Sequence, residues 1–343
     1  MNFYTIDLFS GIGGLTAGLK QAGFKVQAAV EIDRNAINTF KLNHHKTNVI
    51  NKDIRKVSIS SLKKSLGNER LSLLAGCPPC QGFSSVRRLN KKQTIRDDRN
   101  QLILEYLRLV KGLKPLTIMM EKVPGIKNYY LFDVLLKELK NLKYNVDYRI
   151  VNVKDYGVPQ RRRRMVLVGS RLGKIEVAKE TNEKLTVRDV IGKLKLKNDP
   201  LHNTTEKRTH RITEMISKIP KDGGSRKDLP KKYELDCHSK TNVGFNDIYG
   251  RLRWDDYSTT ITGGCLSPSK GRFLHPEENR AITAREATLL QSFDINYKFP
   301  KEISKTTVST LIGNALPPKF SYIQSKNIMN HLKEHRDRYI QKG

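Results

Sequence analysis

The sequence predicts an α/β protein: a mostly parallel sheet with helices on both faces, plus a second, smaller and basic domain. Three observations carry this. From residue 3 to about 170, strand-like apolar runs alternate with helical ones, the pattern of a parallel sheet. The residues with chemical potential, Gly11, Glu31, Asp53, Cys80 and Glu121, all fall at the carboxyl ends of those strands, where such sheets bind ligands. From residue 172 to about 275 the chain turns polar and basic, and its periodicity fades.

The elements follow in order. "FYTIDLFSG" reads as a buried strand ending in a turn, and "GLTAGLKQAG" as a helix closed by Gly23. "KVQAAVEID" is a second strand ending in acids. "RNAINTFKLNH" has helical spacing, and "TNVINKDI" is a short third strand. "RLSLLAGCPPC" is a fourth strand, "NQLILEYLRLVKGLKP" an amphipathic helix and "LTIMMEKVPG" a fifth strand. "YLFDVLLKELKNLKYNV" is another helix. "YRIVNVKDYGVPQRRRRMVLVGSR" supplies two buried strands around a basic turn. The expected organisation is residues 1–171 as a first domain, 172–275 as a loop-rich basic one, and 276–343 as a return to the first. A disordered insertion would also be polar, but this segment keeps Trp, Tyr, Ile and Leu.

Composition narrows the partners. The 343 residues carry 64 Lys and Arg against 34 Asp and Glu, a formal charge of +30. That field attracts polyanions, nucleic acid first among them. A lysine-favouring genome would enrich Lys, yet it explains less well why acids are so few. No apolar run reaches the ~20 residues that span a bilayer, and "MNFYTIDLFSGIGG" has no secretion signal. The expectation is a cytoplasmic protein with no membrane partner. Monomer is the default state.

"DLFSGIGGL" is a glycine-rich turn from strand to helix, where a ligand's polar groups can approach backbone N–H groups. It is not the dinucleotide fingerprint, because Thr16 stands in place of the third glycine. Glu31 can accept from both hydroxyls of a ribose, and Asp53 can take an adenine amino group. Tight packing and two solvated acids form the blander alternative. Their order on successive strand ends favours an adenosine-bearing ligand.

"GCPPCQGFS", residues 76–84, admits three readings. A zinc site needs about four ligands; the other cysteines, Cys237 and Cys265, form no second C-x-x-C. A thioredoxin-like redox pair leaves the acids and the charge unexplained. The third reading is one nucleophile, Cys80, held by two prolines and followed by a flexible Gly82, its thiolate favoured by nearby cations.

Taken together, "DLFSGIGGL", "EID", "GCPPCQGFS", "EKV", "QRRRR", "REATLLQSF" and "IGNALPP" resemble the ordered motifs of the DNA (cytosine-5) methyltransferases from residue 5 to about 328. The resemblance implies an S-adenosylmethionine-dependent, Rossmann-like methyltransferase sheet, with residues 172–275 as a target-recognition domain and duplex DNA in the cleft between. It implies that Cys80 is the nucleophile, that Glu121 works at N3 and the exocyclic amine of cytosine, and that Arg164 meets O2. Arg162 joins this catalytic group as a brace. The cofactor S-adenosyl-L-methionine would be held by Phe9, Gly11, Gly13, Glu31, Ile32, Asp53, Ile54, Pro79, Leu102 and Asn314. DNA would meet Ser84, Arg87, Arg88, Lys91 and Lys92 of a closing loop, and Gln160 bracing the site. The base must be flipped out of the duplex to be reached. A cognate restriction endonuclease acting on the same site is a possible companion, with no direct contact implied.

Two positions depart from the family pattern. Cys77 stands where glycine is usual and reads as a bystander. Lys122 replaces the asparagine of Glu-Asn-Val; it donates but cannot accept. It could slow the reaction, shift the nucleophile loop or reach a DNA phosphate. Two further readings therefore stay open: an impaired relative that only binds DNA, and an RNA cytosine methyltransferase on the same scaffold. One comparison separates nucleophile from redox pair. Cys77→Ala is expected to keep DNA methylation and Cys80→Ala to abolish it; loss of activity in both would favour the redox pair.

Overall fold

The computed structural model describes residues 2–79, 101–194, 196, 198–203, 207–233, 247–335 and 337. Among these, seven strands form one sheet: β1 Tyr4–Leu8, β2 Lys25–Glu31, β3 Asn48–Asn51, β4 Leu71–Gly76, β5 Thr117–Lys122, β6 Asn145–Asn152 and β7 Arg163–Ser170. Their order is β3-β2-β1-β4-β5-β7-β6. The first five in sequence run parallel, and β7 is antiparallel to both β5 and β6. The chain steps outward from β1 to β3, then returns to place β4 on the other side of β1. That reversal opens a crevice at the carboxyl ends of β1 and β4.

Alternation along the strands explains the two covered faces. Leu74, Ile118, Met120 and Leu167 face a core with α3 (Ile59–Leu66), α4 (Leu102–Leu113) and α5 (Tyr130–Asn141). Their neighbours Leu73, Ala75, Met119, Val166 and Val168 face a core with α1 (Gly14–Gln21) and α10 (Pro318–Glu334). Strands buried on both sides read as unbroken apolar runs, as β4 does. β6 departs from the expectation of two buried strands. It is the sheet's edge, and most of its residues are partly or fully exposed.

The remaining helices are α2 (Arg34–Asn43), α6 (Val187–Ile191), α7 (His210–Lys218), α8 (Ala284–Leu290) and α9 (Lys305–Asn314). Among the described residues between Ser170 and Ala284 there is no strand, only short helices, turns and isolated bridges. This loop-rich lobe is organised by one side chain. Arg251 is fully buried. Its guanidinium donates to the carbonyls of Ile216, Ile219, His275 and Glu278 and to Asn279 Oδ1, at 2.6 to 3.2 Å. All five of its N–H groups are used, and each closes a loop that a strand ladder would otherwise have tied.

The cores divide the chain differently from its composition. Leu172, Ile175, Val177 and Ala178 belong to the sheet's core, beyond the boundary drawn at 171. Ile282, Ala287, Leu290, Val308 and Ile312 share a core with Val187, Leu252, Trp254 and Phe273, across the boundary drawn at 275. The core of the second lobe takes in residues up to Ile312, while Phe293, Tyr297 and Leu311 already pack with Ile12 and Ala36 beside the glycine turn and Leu316 joins the sheet's core. A shift in polarity marks where surface begins, and surface is not the same as core membership.

α1 and α10 pack backbone to backbone. A Cβ on Gly18 would lie 2.4 Å from both Ser321 Oγ and the Tyr322 nitrogen. Gly18→Ala should gain about 1 kcal/mol of helix propensity. Overpacking against a backbone atom costs about 1–3 kcal/mol, so the net effect is expected to be destabilising. A chemical-denaturation midpoint equal to or above wild type would contradict this packing.

Candidate active site

The crevice is lined by two adjacent strand ends. Gly76 of β4 pairs with Leu8 of β1, and the Cys77 N–H donates to the Leu8 carbonyl (3.3 Å). The glycine turn and the Cys-Pro-Pro segment therefore leave the sheet side by side.

The turn after β1 is shaped by left-handed backbone. Phe9, Gly11 and Gly13 have φ of 61°, 54° and 97°. A Cβ on Gly13 would sit 2.5 Å from the His44 ring, so packing alone requires glycine there. On Gly11 it would meet nothing within 4 Å, which leaves that side of the turn open. The Tyr297 hydroxyl donates to the Ile12 carbonyl and lies 3.2 Å from His44 Nε2, bracing the turn from behind. Burial pushes His44 down to about 4, so it stands there neutral.

Glu31 ends β2 and fixes this turn to its neighbour. Its carboxylate accepts from the N–H groups of Gly11 (2.8 Å), Ile32 (2.8 Å) and Asp33 (2.9 Å). Beside it Ile32 is 61% exposed, a bare apolar side chain in the crevice mouth. Asp53 follows β3 by two residues and starts a 3-10 turn, Ile54–Lys56. Arg55 holds its carboxylate (2.6 Å) and keeps it below the ordinary carboxylate range. Ile54 differs from expectation: its side chain is turned into the core, so only its backbone faces outward. Leu102 is likewise mostly in that core, at the first residue of α4. Pro79 is exposed, and Asn314 ends α9 with an exposed side chain. An exposed apolar residue, an anchored carboxylate, an open glycine and an exposed amide suit an adenosine-bearing sulfonium cofactor.

On the other side of β4, β5 ends in Glu121. Because β7 runs antiparallel to it, pairing Glu121 with Val166 and Lys122 with Met165, the start of β7 lies beside the end of β5. The arginine run is thereby delivered to Glu121. Arg164 Nε lies 2.7 Å from Glu121 Oε1, with both side chains largely shielded. The other arginines alternate around it. Arg161 points outward to Asp256 (2.6 Å), Arg163 is exposed, and Arg162 is buried.

Arg162 and Gln160 form an internal hub. Arg162 donates to the carbonyls of Ile261 (3.0 Å) and Gly313 (3.1 Å). Gln160 is fully buried; it donates to Gln291 Oε1 (2.7 Å) and accepts from the Ile261 N–H (2.9 Å). Gln291 in turn donates to the Ile312 carbonyl (2.6 Å). Gly313 must be glycine, since a Cβ would lie 2.1 Å from the Thr262 carbonyl carbon. The hub positions Asn314 and the hairpin together. Gln160, fully buried among internal partners, braces the site and is corrected from a DNA contact. Arg162 braces it as expected, donating to backbone carbonyls through its two terminal nitrogens while its buried Nε makes no hydrogen bond among the described residues.

Cys77 is half-buried. Burial, then Glu121 and Asp7 nearby, push its thiol well above its ordinary value, which keeps it a neutral thiol. Lys122 is only 2% exposed. It points into the protein on the face opposite Glu121, so the reading in which it reaches a DNA phosphate does not hold. Cys80, Ser84, Arg87, Arg88, Lys91 and Lys92 lie outside the described residues. Asp7, His44, Gln291 and Tyr297 also support the site; Asp7 and Gln291 sit inside the motifs "DLFSGIGGL" and "REATLLQSF", whereas nothing in the sequence singles out His44 or Tyr297.

The profile of the C-5 cytosine-specific DNA methylases matches residues 3–330. The chain belongs to that family. It is 35% identical to the Type II methylase M.HgiDII of Herpetosiphon aurantiacus over 95% of each chain. It is 31% identical to the Type II methyltransferase M1.HphI of Haemophilus parahaemolyticus, over 93% of this chain and 84% of that one. A solved structure of a candidate DNA modification methyltransferase encoded in an E. coli prophage superposes with a TM-score of 0.76 over 97% of this chain and 100% of that one. At 24% identity that likeness speaks for the fold alone. The protein is thus a DNA cytosine-5 methyltransferase, and its two-sided α/β sheet is that of the S-adenosylmethionine-dependent enzymes.

A buried acid makes this methyltransferase's stability depend on pH. Asp7 is fully buried; it accepts from Thr16 Oγ1 (2.6 Å), and burial pushes its carboxyl up to about 7. The unfolded chain loses that proton near 3.8, the folded one near 7. The folded state therefore binds more protons in between, and this group's contribution to stability falls as pH rises from about 4 to about 7. At roughly 1.4 kcal/mol per pKa unit the fall amounts to a few kcal/mol. Asp7→Asn is expected to flatten the decline of Tm between pH 5 and 8. Parallel Tm–pH curves for variant and wild type would rule out this assignment.

Proposed function

We propose that this enzyme methylates C5 of cytosine within a short, defined sequence of duplex DNA; the match to the C-5 cytosine-specific DNA methylases and the likeness to Type II methylases support the reading. The observation that carries the reading is the Glu121–Arg164 pair at 2.7 Å, set at the strand ends beside the segment that leads to Cys80. Phe9, Glu31, Ile32, Asp53 and Asn314 would hold S-adenosyl-L-methionine: apolar side chains against the adenine, the Glu31 carboxylate on the ribose and Asp53 on the amino group. When bound, this cofactor supplies the methyl group as an electrophile carried on a positively charged sulfur.

The chain's own residues prepare the base. C5 of cytosine is a poor nucleophile. The Cys80 thiolate adds to C6, and the electron pair of the C5–C6 bond becomes available at C5. The Glu121 carboxyl gives a proton to N3 and accepts from the exocyclic amine. Arg164, held on Glu121, donates to O2 and disperses the charge that builds on the ring. After C5 has gained its methyl group it gives its proton to water, and N3 returns its proton to Glu121. The C6–S bond then breaks, which returns the thiolate of Cys80 and leaves 5-methylcytosine. Gln160 and Arg162 hold the hairpin and Asn314 in one frame, so the base and the cofactor edge share a fixed geometry.

The protein would act as a monomer in the cytoplasm, with duplex DNA as substrate and a cognate restriction endonuclease as the companion activity on the same site. Bisulfite sequencing of duplex DNA treated with the protein and S-adenosyl-L-methionine should show protected cytosines confined to one short motif. If a folded, cofactor-binding protein protects none, the reading fails and Lys122 is the first residue to revert to asparagine. Glu121→Gln is expected to lower kcat by about 10²- to 10⁴-fold, the range of general acid catalysis, with cofactor affinity unchanged. A kcat within threefold of wild type would remove Glu121 from that role.

A further inference from the structure

A run of hydrogen bonds leads from the second lobe to the glycine turn, and the chemistry above uses none of it. It begins at Asp199, in the basic segment. That carboxylate accepts from the Leu201 N–H (2.9 Å) and from Arg285 Nε (2.5 Å). The Arg285 backbone N–H donates back to the Leu201 carbonyl (2.9 Å), and His202 Nδ1 lies 3.0 Å from Thr283 Oγ1. Residues 199–202 are thereby fastened to the start of α8, which Thr283 caps. Arg285 is buried, and its Nη1 donates onward to the Tyr297 carbonyl (3.0 Å).

Tyr297 carries the run to the turn. Its ring is buried against Phe293, with centroids 4.6 Å apart. Its hydroxyl donates to the Ile12 carbonyl and stands 3.2 Å from His44 Nε2. Burial pushes that hydroxyl above its ordinary value, so it keeps its proton and remains a donor. The next residue is clasped as well. Asn43, the last residue of α2, donates to the Lys298 carbonyl (2.8 Å) and accepts from the Lys298 N–H (2.9 Å). Held by Arg285 on one side and Asn43 on the other, Tyr297 has a fixed place for its hydroxyl.

The turn needs such a brace. Phe9, Gly11 and Gly13 are all left-handed, and backbone of that kind persists where its surroundings over-determine it. Glu31 holds the turn at the Gly11 N–H, and Tyr297 holds it from the opposite side at the Ile12 carbonyl. Removing the second brace lets the turn sample other shapes. A ligand that binds one shape then pays in apparent affinity by the fraction of molecules that still have it. At saturation the bound ligand restores the shape, so the chemical step is spared.

Resting on the reading of this turn as the seat of S-adenosyl-L-methionine, we propose that Tyr297 is a positioning residue for the cofactor turn and that Asp199 and Arg285 hold it in place, so that the second lobe, and not the sheet alone, sets the affinity for the cofactor.

The test uses the full-length protein, calorimetric titration with S-adenosyl-L-methionine and steady-state methylation of duplex DNA. Tyr297→Phe keeps the ring and removes only the hydroxyl. Kd and KM for the cofactor are expected to rise about tenfold, the scale of one buried hydrogen bond. The kcat at saturating cofactor and the KM for duplex should stay at wild-type values. A Kd within twofold of wild type overturns the proposal whatever happens to Tm, because a merely structural hydroxyl would lower Tm alone. A lower kcat with unchanged Kd overturns it too. Asp199→Asn is expected to raise Kd about threefold, the scale of a partly screened ion pair, and to add nothing in the Tyr297→Phe background, since both act through one hydroxyl. Additive losses in the double variant would overturn the relay from Asp199. Methylation by the wild-type protein in the same preparations reports on the functional reading separately, so an unchanged Kd in Tyr297→Phe counts against the brace alone.

Discussion

The site depends first on a buried polar hub at the turn between β6 and β7. A neutral buried hydrogen bond is worth only about 1 kcal/mol net, but leaving one buried partner unsatisfied costs about 1–3 kcal/mol. That asymmetry makes the hub a constraint more than a source of stability. Gln160, Arg162 and Gln291 satisfy the carbonyls of Ile261, Ile312 and Gly313 only when hairpin, second lobe and α9 are all in place. No partial arrangement satisfies them. The hub therefore couples segments 99 to 151 residues apart into one rigid unit, and the exposed Asn314 and the shielded Arg164 inherit their positions from it.

The sheet's one reversed strand is the second requirement. Were β7 parallel to β5, its first residues would lie at the opposite edge of the sheet, some 20 Å from Glu121 at about 3.3 Å per residue. Running antiparallel, it brings Arg163 and Arg164 to the ligand edge. Strand alternation then assigns the run: alternate arginines face in, and only Arg164 among them meets the carboxylate. A run of four arginines reads in sequence as a basic patch. In the fold it is an internal brace, an ion-pair partner of Glu121 and two surface charges.

The sequence made the sheet and its ligand edge legible, because buried parallel strands are unbroken apolar runs and their ends carry the odd polar residues. Glu31 and Glu121 stand where that logic puts them; Arg164, implied only by the family resemblance, is brought there by the reversed β7. Three things were not legible. The extent of the second lobe was hidden because its core is assembled from scattered residues such as Val187, Trp254 and Ile312, with no period to announce it. The edge position of β6 was hidden because strand order is a tertiary fact. The inward turn of Gln160 and Ile54 was hidden because a polar or apolar type does not say which of two surfaces a loop residue meets.

Lys122 shows how far such geometry reaches into chemistry. It follows Glu121 directly, so a one-dimensional view places its charge against that carboxylate. On a strand, neighbours face opposite sides, and the two side chains leave β5 in opposite directions. The ammonium is buried with the Met120 face of the sheet, toward the core that holds Ile103 and Tyr106. A buried ammonium is tolerated only where acceptors meet it, and unlike an asparagine amide it can offer them no acceptor in return. The replacement has two routes to turnover: the backbone that Lys122 supports, and the field of a buried, poorly screened charge one residue from Glu121. A change in that field would shift the pH dependence of kcat. A change in support would lower kcat at every pH alike, so the shape of the pH profile, and not its height, tells which of the two this residue controls.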